Sequence, residues 1–270
     1  MGSFPSDGIG PGTTLGRYVL RERVSECCFG PRWLAHVDND KDDSTAVAVR
    51  YIEVASLKDA EASNRLAEAA FWALGVDFDG EPAVTDVLVT IEHLVVVSPH
   101  FQGMTLRELL ERARLREMAA PPYVALRVAT DLLRALETVA RAAADDEEAL
   151  CGGYAHGGLI PECIEVGFDG RTRLSDTAVA AVACREPTWS NHPGCRAYRA
   201  PEQTHGQRAA DARVDTFAVG ILLAELLAGE PFAGEGSLQG TVSLDERLAR
   251  LELDPVLHPL VRRAIDPDPD

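Results

Sequence analysis

The chain has 270 residues, 46% hydrophobic and 26% charged, the ordinary balance of a soluble globular protein with length for one large domain or two lobes. Its net charge of −17 repels phosphate backbones and anionic membranes, which excludes nucleic acid as a partner. No apolar run reaches the ~18 residues of a membrane span. The six cysteines form no C-x-x-C pair, which argues for a reduced, cytoplasmic chain without a zinc site.

Residues 1–14, rich in Gly, Pro and Ser, are expected to form a disordered tail. Alternation over Arg17–Val24, Phe29–Val37 and Thr45–Val54 predicts three strands, with the acidic "DNDKDD" (Asp38–Asp43) as the loop between the last two. Apolar residues at helical spacing predict a helix over Leu57–Gly75. Two further strands are expected between Ala83 and Pro99, broken near Ile91. Helical patterns follow over Thr105–Leu115 and Pro121–Ala144, the second long, amphipathic and entered through proline. Short strands around "CIEVGFDGRTRLSD" (Cys163–Asp176) enclose a tight turn at Gly167–Arg171. An irregular stretch runs to about Glu202, then a buried helix over Val214–Leu227 and two weaker helices. Segregated strands and helices make the fold class α+β, with a β-rich lobe carrying one main helix over 15–98 and a mainly helical lobe over 99–270. The 26 basic residues include only two lysines, Lys41 and Lys58, which points to a GC-rich, bacterial coding sequence.

Three motifs stand in order: "HFQGMTLRELL" (His100–Leu110), "CRAYRAPEQ" (Cys195–Gln203) with Ala200-Pro201-Glu202, and "VDTFAVGILLAELLAGEPF" (Val214–Phe232) with Asp215 and Gly220. With these motifs the chain resembles the eukaryotic-like, bacterial-type Ser/Thr protein kinases over about residues 15–269. The resemblance implies a bilobal protein-kinase-like fold that stops before the family's last helix. It makes His156, Pro201, Glu202, Asp215 and Gly220 structural residues.

The positions that carry chemistry in that family depart from its pattern one after another. Protein kinases need a glycine-rich cover over ATP, a strand lysine paired to a helix glutamate, a catalytic aspartate and metal ligands. In "SECCFGPR" (Ser25–Arg32), Ser25 and Cys27 replace two glycines of the cover and only Gly30 remains. Arg32 stands where a small apolar side chain covers adenine, so its guanidinium must turn outward or fill the nucleotide space. In "AVAVR", after Ala48, the strand lysine becomes Arg50, which does not substitute for lysine at phosphates. Glu68 occupies the helix-glutamate position, and an Arg50–Glu68 tie is expected. The catalytic loop reads "HGGLIPECIEV" (His156–Val166): Gly158 stands for the aspartate base, Ile160 for the loop lysine and Cys163 for the metal-binding asparagine. A thiol suits Mg²⁺ badly. Asp176 in "LSDTAVA" keeps the metal-binding aspartate position, with a satisfied structural role expected for it.

The resemblance and its departures together imply a catalytically inactive kinase-like domain, a pseudokinase, acting as a protein-binding scaffold or allosteric regulator. No catalytic residue, no metal ligand and weak or absent ATP/Mg binding are expected. The implied partner is a protein, an active kinase or its substrate. The competing readings are an atypical or residual ATP-dependent kinase or other phosphoryl or nucleotidyl transferase, and a noncatalytic nucleotide sensor.

Overall fold

The computed structural model describes residues 9–38, 46–54, 60–78, 81–144, 155–183, 189, 192–205, 211–232, 244–251 and 253–266. Residues 1–8 of the expected tail and the acidic loop beyond Asp38 lie outside them. The rest of that tail, from Ile9, lies along the first lobe: the Gly12 amide donates to the Leu20 carbonyl at 2.7 Å, and Leu15 is buried.

Strands β1 (Thr14–Leu15), β2 (Tyr18–Cys27), β3 (Gly30–Val37), β4 (Val47–Glu53), β7 (Asp86–Val89) and β8 (His93–Pro99) form one antiparallel sheet. Its order is β1-β2-β3-β4-β8-β7. The two-residue strands β5 (Asp77–Phe78) and β6 (Glu81–Pro82) pair beside it. One face buries Tyr18, Leu20, Trp33, Val49, Val95 and Val97 as a small separate core. The other faces helix α1 (Ala60–Trp72), which continues as a 3-10 turn to Gly75. The β2–β3 pairing shifts register twice, at Leu20/Glu22 and Arg23/Ser25, and such irregularities bend a hairpin. At its tip a two-residue turn, Cys28–Phe29, leads into Gly30 at φ +113°, a conformation that glycine alone takes easily. The Phe29 ring thereby enters the main core with residues of α1 and the second lobe.

The second lobe opens with β9 (Gly103–Thr105) and α2 (Leu106–Leu115), entered by a Thr105–Glu108 capping box. Helix α3 (Pro122–Ala144) buries Ala125, Val128, Ala129, Leu132, Leu136, Val139 and Ala143, the stripe that helical periodicity predicts. Strands β10 (Ile164–Gly167) and β11 (Thr172–Leu174) complete a three-stranded sheet with β9. Among the described residues, the stretch expected to be irregular to about Glu202 holds the short helices α4 (Thr177–Ala183) and α5 (Pro193–Arg196), and α6 (Pro201–His205) begins at its end. The small apolar residues of "TAVAAVA" let α4 lie against α1, with Val179, Ala180, Ala181 and Ala183 buried. Helix α7 (Arg213–Ala228) is buried on nearly every side, beside α3 and α9 (Leu257–Ala264), while α8 (Leu244–Arg250) flanks α9. Gly220 of α7 permits the α9 contact, since a Cβ there would stand 2.7 Å from Ala264 Cβ. Among the described residues no helix is long and apolar enough to cross a membrane.

Candidate functional site

The cleft between the lobes collects the residues the sequence singles out. Ser25 pairs with Arg32 across the β2–β3 hairpin, and Ala48 is buried in β4 opposite Leu34 and Ser98. Arg32 points inward and fills the space: its Nη1 lies 2.9 Å from Glu165 Oε1 on β10, and its Nη2 donates to Ser98 Oγ at 3.4 Å. This pair joins the two lobes with side chains only 3% and 10% exposed.

Arg50 forms a second cross-cleft pair. Its Nε and Nη2 donate to the two carboxylate oxygens of Asp176 at 3.1 and 2.6 Å, and its Nη1 donates to the Gly30 carbonyl at 2.7 Å. The expected Arg50–Glu68 tie is therefore corrected. With α4 lying against α1, the inward face of α1 is given to Ala62, Leu66, Ala69 and Ala70, and Glu68 is exposed. Burial would raise the Asp176 carboxyl, but the Arg50 guanidinium, by charge and hydrogen bonds, holds it at about 2. Burial opposes the charge on Arg50 in turn, and Asp176 outweighs it, so the guanidinium titrates above its usual range. Asp176 sits at φ +59°, a backbone position that asparagine and aspartate tolerate better than other side chains and that the fork-to-carboxylate pairing here fixes. Ser175 Oγ donates to the Cys163 carbonyl at 3.1 Å and lies 3.2 Å from Asp176 Oδ2. Between Arg32, Arg50 and Asp176 a cavity of about 20 Å³ remains, room for a water molecule.

The loop around His156 is held by its backbone. Asp215 on α7 accepts from the His156 and Gly157 amides, both at 2.8 Å. Gln203 on α6 donates to the Gly157 carbonyl at 2.8 Å and accepts from the Ala200 amide. His156 is fully buried, which pushes its imidazole down to about 4 and keeps it neutral. Burial likewise pushes the Asp215 carboxyl up to about 6, against the two amides that favour its charge. Gly158 and Ile160 are buried without a polar side chain, and Pro201 and Glu202 open α6. Among the described residues no group of three or more His, Cys, Asp or Glu side chains is arranged to hold a metal ion.

The expectation of reduced, unpaired cysteines is also corrected. Cys28 at the hairpin tip is joined to Cys195 on α5 by a disulfide, with Cα atoms 7.0 Å apart and 167 residues of chain between them. Sequence spacing gives no hint of this pair, because the fold of the hairpin into the cleft creates it. Glu165 and Gln203 were likewise missed. A glutamate inside the apolar strand "CIEVG" was the available signal for a buried ion pair. The contact of Gln203 with the loop at Gly157 had none.

A twisted antiparallel sheet with one main helix, set over a helical lobe and meeting it at this cleft, defines the protein-kinase-like fold. No protein-family profile matches the chain. The serine/threonine-protein kinase PknL of Mycobacterium tuberculosis (strain ATCC 25618 / H37Rv) is 35% identical over 150 residues, 54% of this chain and 34% of PknL. Cyclin-dependent kinase 20 of Rattus norvegicus is 27% identical over 232 residues, 83% of this chain and 61% of that protein. The crystal structure of the M. tuberculosis PknI kinase domain superposes with a TM-score of 0.68 over 97% of this chain and 93% of that one, at 18% identity. The chain is thus homologous to Ser/Thr protein kinases, with bacterial kinases among its relatives, and its match spans about a third of PknL's length.

Proposed function

We propose that this kinase-like domain transfers no phosphate and acts by binding another protein, as a scaffold or allosteric regulator. The observation that carries the reading is the cleft itself, bridged by Arg32–Glu165 and Arg50–Asp176 where the family places nucleotide and metal. The residues present do not fit ATP and Mg²⁺. The carboxylate that would meet a metal is engaged on both oxygens by Arg50, Arg32 lies in the adenine space, and the base position is Gly158. Loss of a general base alone costs roughly 10²–10⁴ in rate, and here the metal and phosphate contacts are replaced as well. What is kept is the frame, with the His156 loop tied to Asp215 and Gln203. A frame maintained without its chemistry supports a role in presenting surfaces, to an active kinase or to a kinase substrate.

Thermal-shift titration with ATP, ATP plus Mg²⁺ or Mn²⁺, and ADP tests the reading, alongside label transfer from γ-labelled ATP. The expected result is an unchanged melting midpoint and no transferred label. A metal-dependent shift with transfer would replace it with an atypical kinase, and a shift without transfer with a nucleotide sensor.

A further inference from the structure

A cavity of about 210 Å³ opens where Phe78 and Glu81 of the first lobe meet α3 and the β10–β11 turn of the second. A cavity of ~150 Å³ is enough to take up a benzene ring. Four arginines line it from three elements: Arg127 and Arg134 on α3, Arg171 at the turn and Arg173 on β11. In a chain of net charge −17 this is a local reversal of sign. Three of the four are satisfied by carboxylates or by solvent. Arg127 Nε donates to both oxygens of Asp131 at 3.0 and 2.9 Å, and Arg134, mostly exposed, stands 3.9 Å from the same carboxylate. Arg171 donates from Nε to Asp169 at 2.6 Å and from Nη1 to Glu81 at 3.3 Å. Arg173 differs. Its side chain is 9% exposed, its Nε has no partner, and its hydrogen bond is the long one from Nη2 to the Pro82 carbonyl at 3.3 Å. Glu81 stands 3.9 Å from it, beyond hydrogen-bond reach, and Glu165, opposite it on β10, is taken by Arg32. Thr172 Oγ1 beside it is also buried without a partner. Burial pushes the Arg173 guanidinium below its ordinary range, and the charges of Arg32 and Arg171 add to this against Glu165 and Glu81. A buried cation without a hydrogen-bonded counterion is costly, and an anion in the adjoining cavity supplies what the fold does not.

We propose that this cavity binds a phosphate monoester with a compact apolar body, its phosphoryl group toward Arg173 and Arg171 and its body against Phe78 and Phe101. Guanidiniums on separate elements favour phosphate over carboxylate. One fork satisfies a carboxylate, whereas three phosphoryl oxygens carrying about −1.5 to −2 charge accept from several donors. Arg134 and Arg171, mostly exposed, are free to turn toward an incoming anion, while burial holds Arg173 in place. Glu81 is the group that yields: its side chain is 44% exposed, and its bond to Arg171 is long at 3.3 Å. Asp131 stays with Arg127 and the Thr172 amide. A free small ester and a phosphorylated side chain of a protein partner present the same chemistry to these arginines. The cavity shares only Arg173 with the small space between Arg50 and Asp176, so the site stands whether or not the cleft accepts ATP.

Calorimetric titration of the full chain with phenyl phosphate tests the site. Saturable binding at one site per chain is expected, weakened roughly tenfold or more in Arg173→Met, the scale of a hydrogen bond to a charged group. Should that variant fold poorly, Arg171→Gln and Arg134→Gln change exposed side chains, and each is expected to weaken binding severalfold. Benzoate lacks the phosphoryl oxygens and inorganic phosphate the apolar body, so both are expected to bind more weakly. A short phosphotyrosine peptide that binds more tightly than phenyl phosphate assigns the ester to a protein partner, and one that binds no better assigns it to a free small molecule. No saturation at millimolar phenyl phosphate overturns the proposal. So does benzoate or inorganic phosphate binding as tightly, the mark of an adventitious ion only, or an affinity unchanged in Arg171→Gln and Arg173→Met alike.

Discussion

Replacing Arg32 by Met removes the cation from a pair whose carboxylate, Glu165, stays 8% exposed on β10. Stranding one member of a buried ion pair costs about 3–5 kcal/mol. A change of 1 kcal/mol moves the melting midpoint by roughly 2–4 °C in domains near this size, so Arg32→Met should melt roughly 6–20 °C lower. The double variant Arg32→Met/Glu165→Met is expected close to wild type, because apolar groups of similar volume replace buried pairs at about equal stability or better. Urea unfolding of the wild type, both single variants and the double variant closes the cycle. A coupling of about 6–10 kcal/mol is expected, since each single variant leaves a charge behind at about 3–5 kcal/mol and the double leaves none. An Arg32→Met chain within about 1 kcal/mol of wild type, or a double variant that only adds the two single losses, would refute the buried bridge.

The pH dependence has two opposing parts at the His156 loop. His156 is held neutral with a folded value of about 4 against an ordinary 6.5. Its contribution is therefore complete above pH 6.5 and lost as pH falls through 4, about 3 kcal/mol in all. Asp215 has the opposite sign: its folded value of about 6 exceeds the ordinary 3.8, so its contribution declines as pH rises from 3.8 through 6, by a similar amount of about 3 kcal/mol. The two nearly cancel between pH 4 and 6, and Asp215→Asn should expose the His156 slope in urea midpoints taken across that range. A flat profile in that variant would count against a buried neutral imidazole. Asp176, depressed to about 2, adds a loss of about 2 kcal/mol only as pH falls from 3.8 toward 2, seen as an acid transition that Asp176→Asn lacks. Gly220→Ala should cost about 1–3 kcal/mol by forcing α9 off α7, read by the same denaturation; an unchanged midpoint would mean that the contact yields freely.

The fold was legible wherever periodicity is local. The strand runs to Pro99, the amphipathic stripe of α3 and the all-apolar α7 each follow from spacing and burial, and their order already implied the bilobal arrangement. The short helices α4 to α6 were not legible, because runs of four to seven residues are too brief to display a helical period, and contact with α1 stabilises α4. In the site, the substituted positions Arg32, Arg50, Gly158, Ile160 and Cys163 could be read directly from the motifs. Their partners could not. Arg50 had two carboxylates within reach of the family pattern, and the position of α4, a tertiary fact, decided for Asp176 over Glu68. Arg32 had no visible partner at all until Glu165 arrived from the other lobe.

What holds the cleft closed can be ranked by the same physics. A buried ion pair contributes little net stability against an apolar alternative, because desolvation consumes most of its Coulomb gain. Arg32–Glu165 and Arg50–Asp176 therefore hold the register of the lobes more than they add to the strength of their closure. The α1–α4 contact closes the lobes with apolar surface, and so do Phe29, whose burial in the main core contributes about 1.5–3 kcal/mol, and the covalent tie at its neighbour Cys28. The last two act on adjacent residues of one hairpin, the segment that covers phosphates in an active kinase. The chain thus places its own phenyl ring and sulfur in the cleft, and its own arginines against the carboxylates. A closure that an active kinase completes around its nucleotide is here completed by the polypeptide itself.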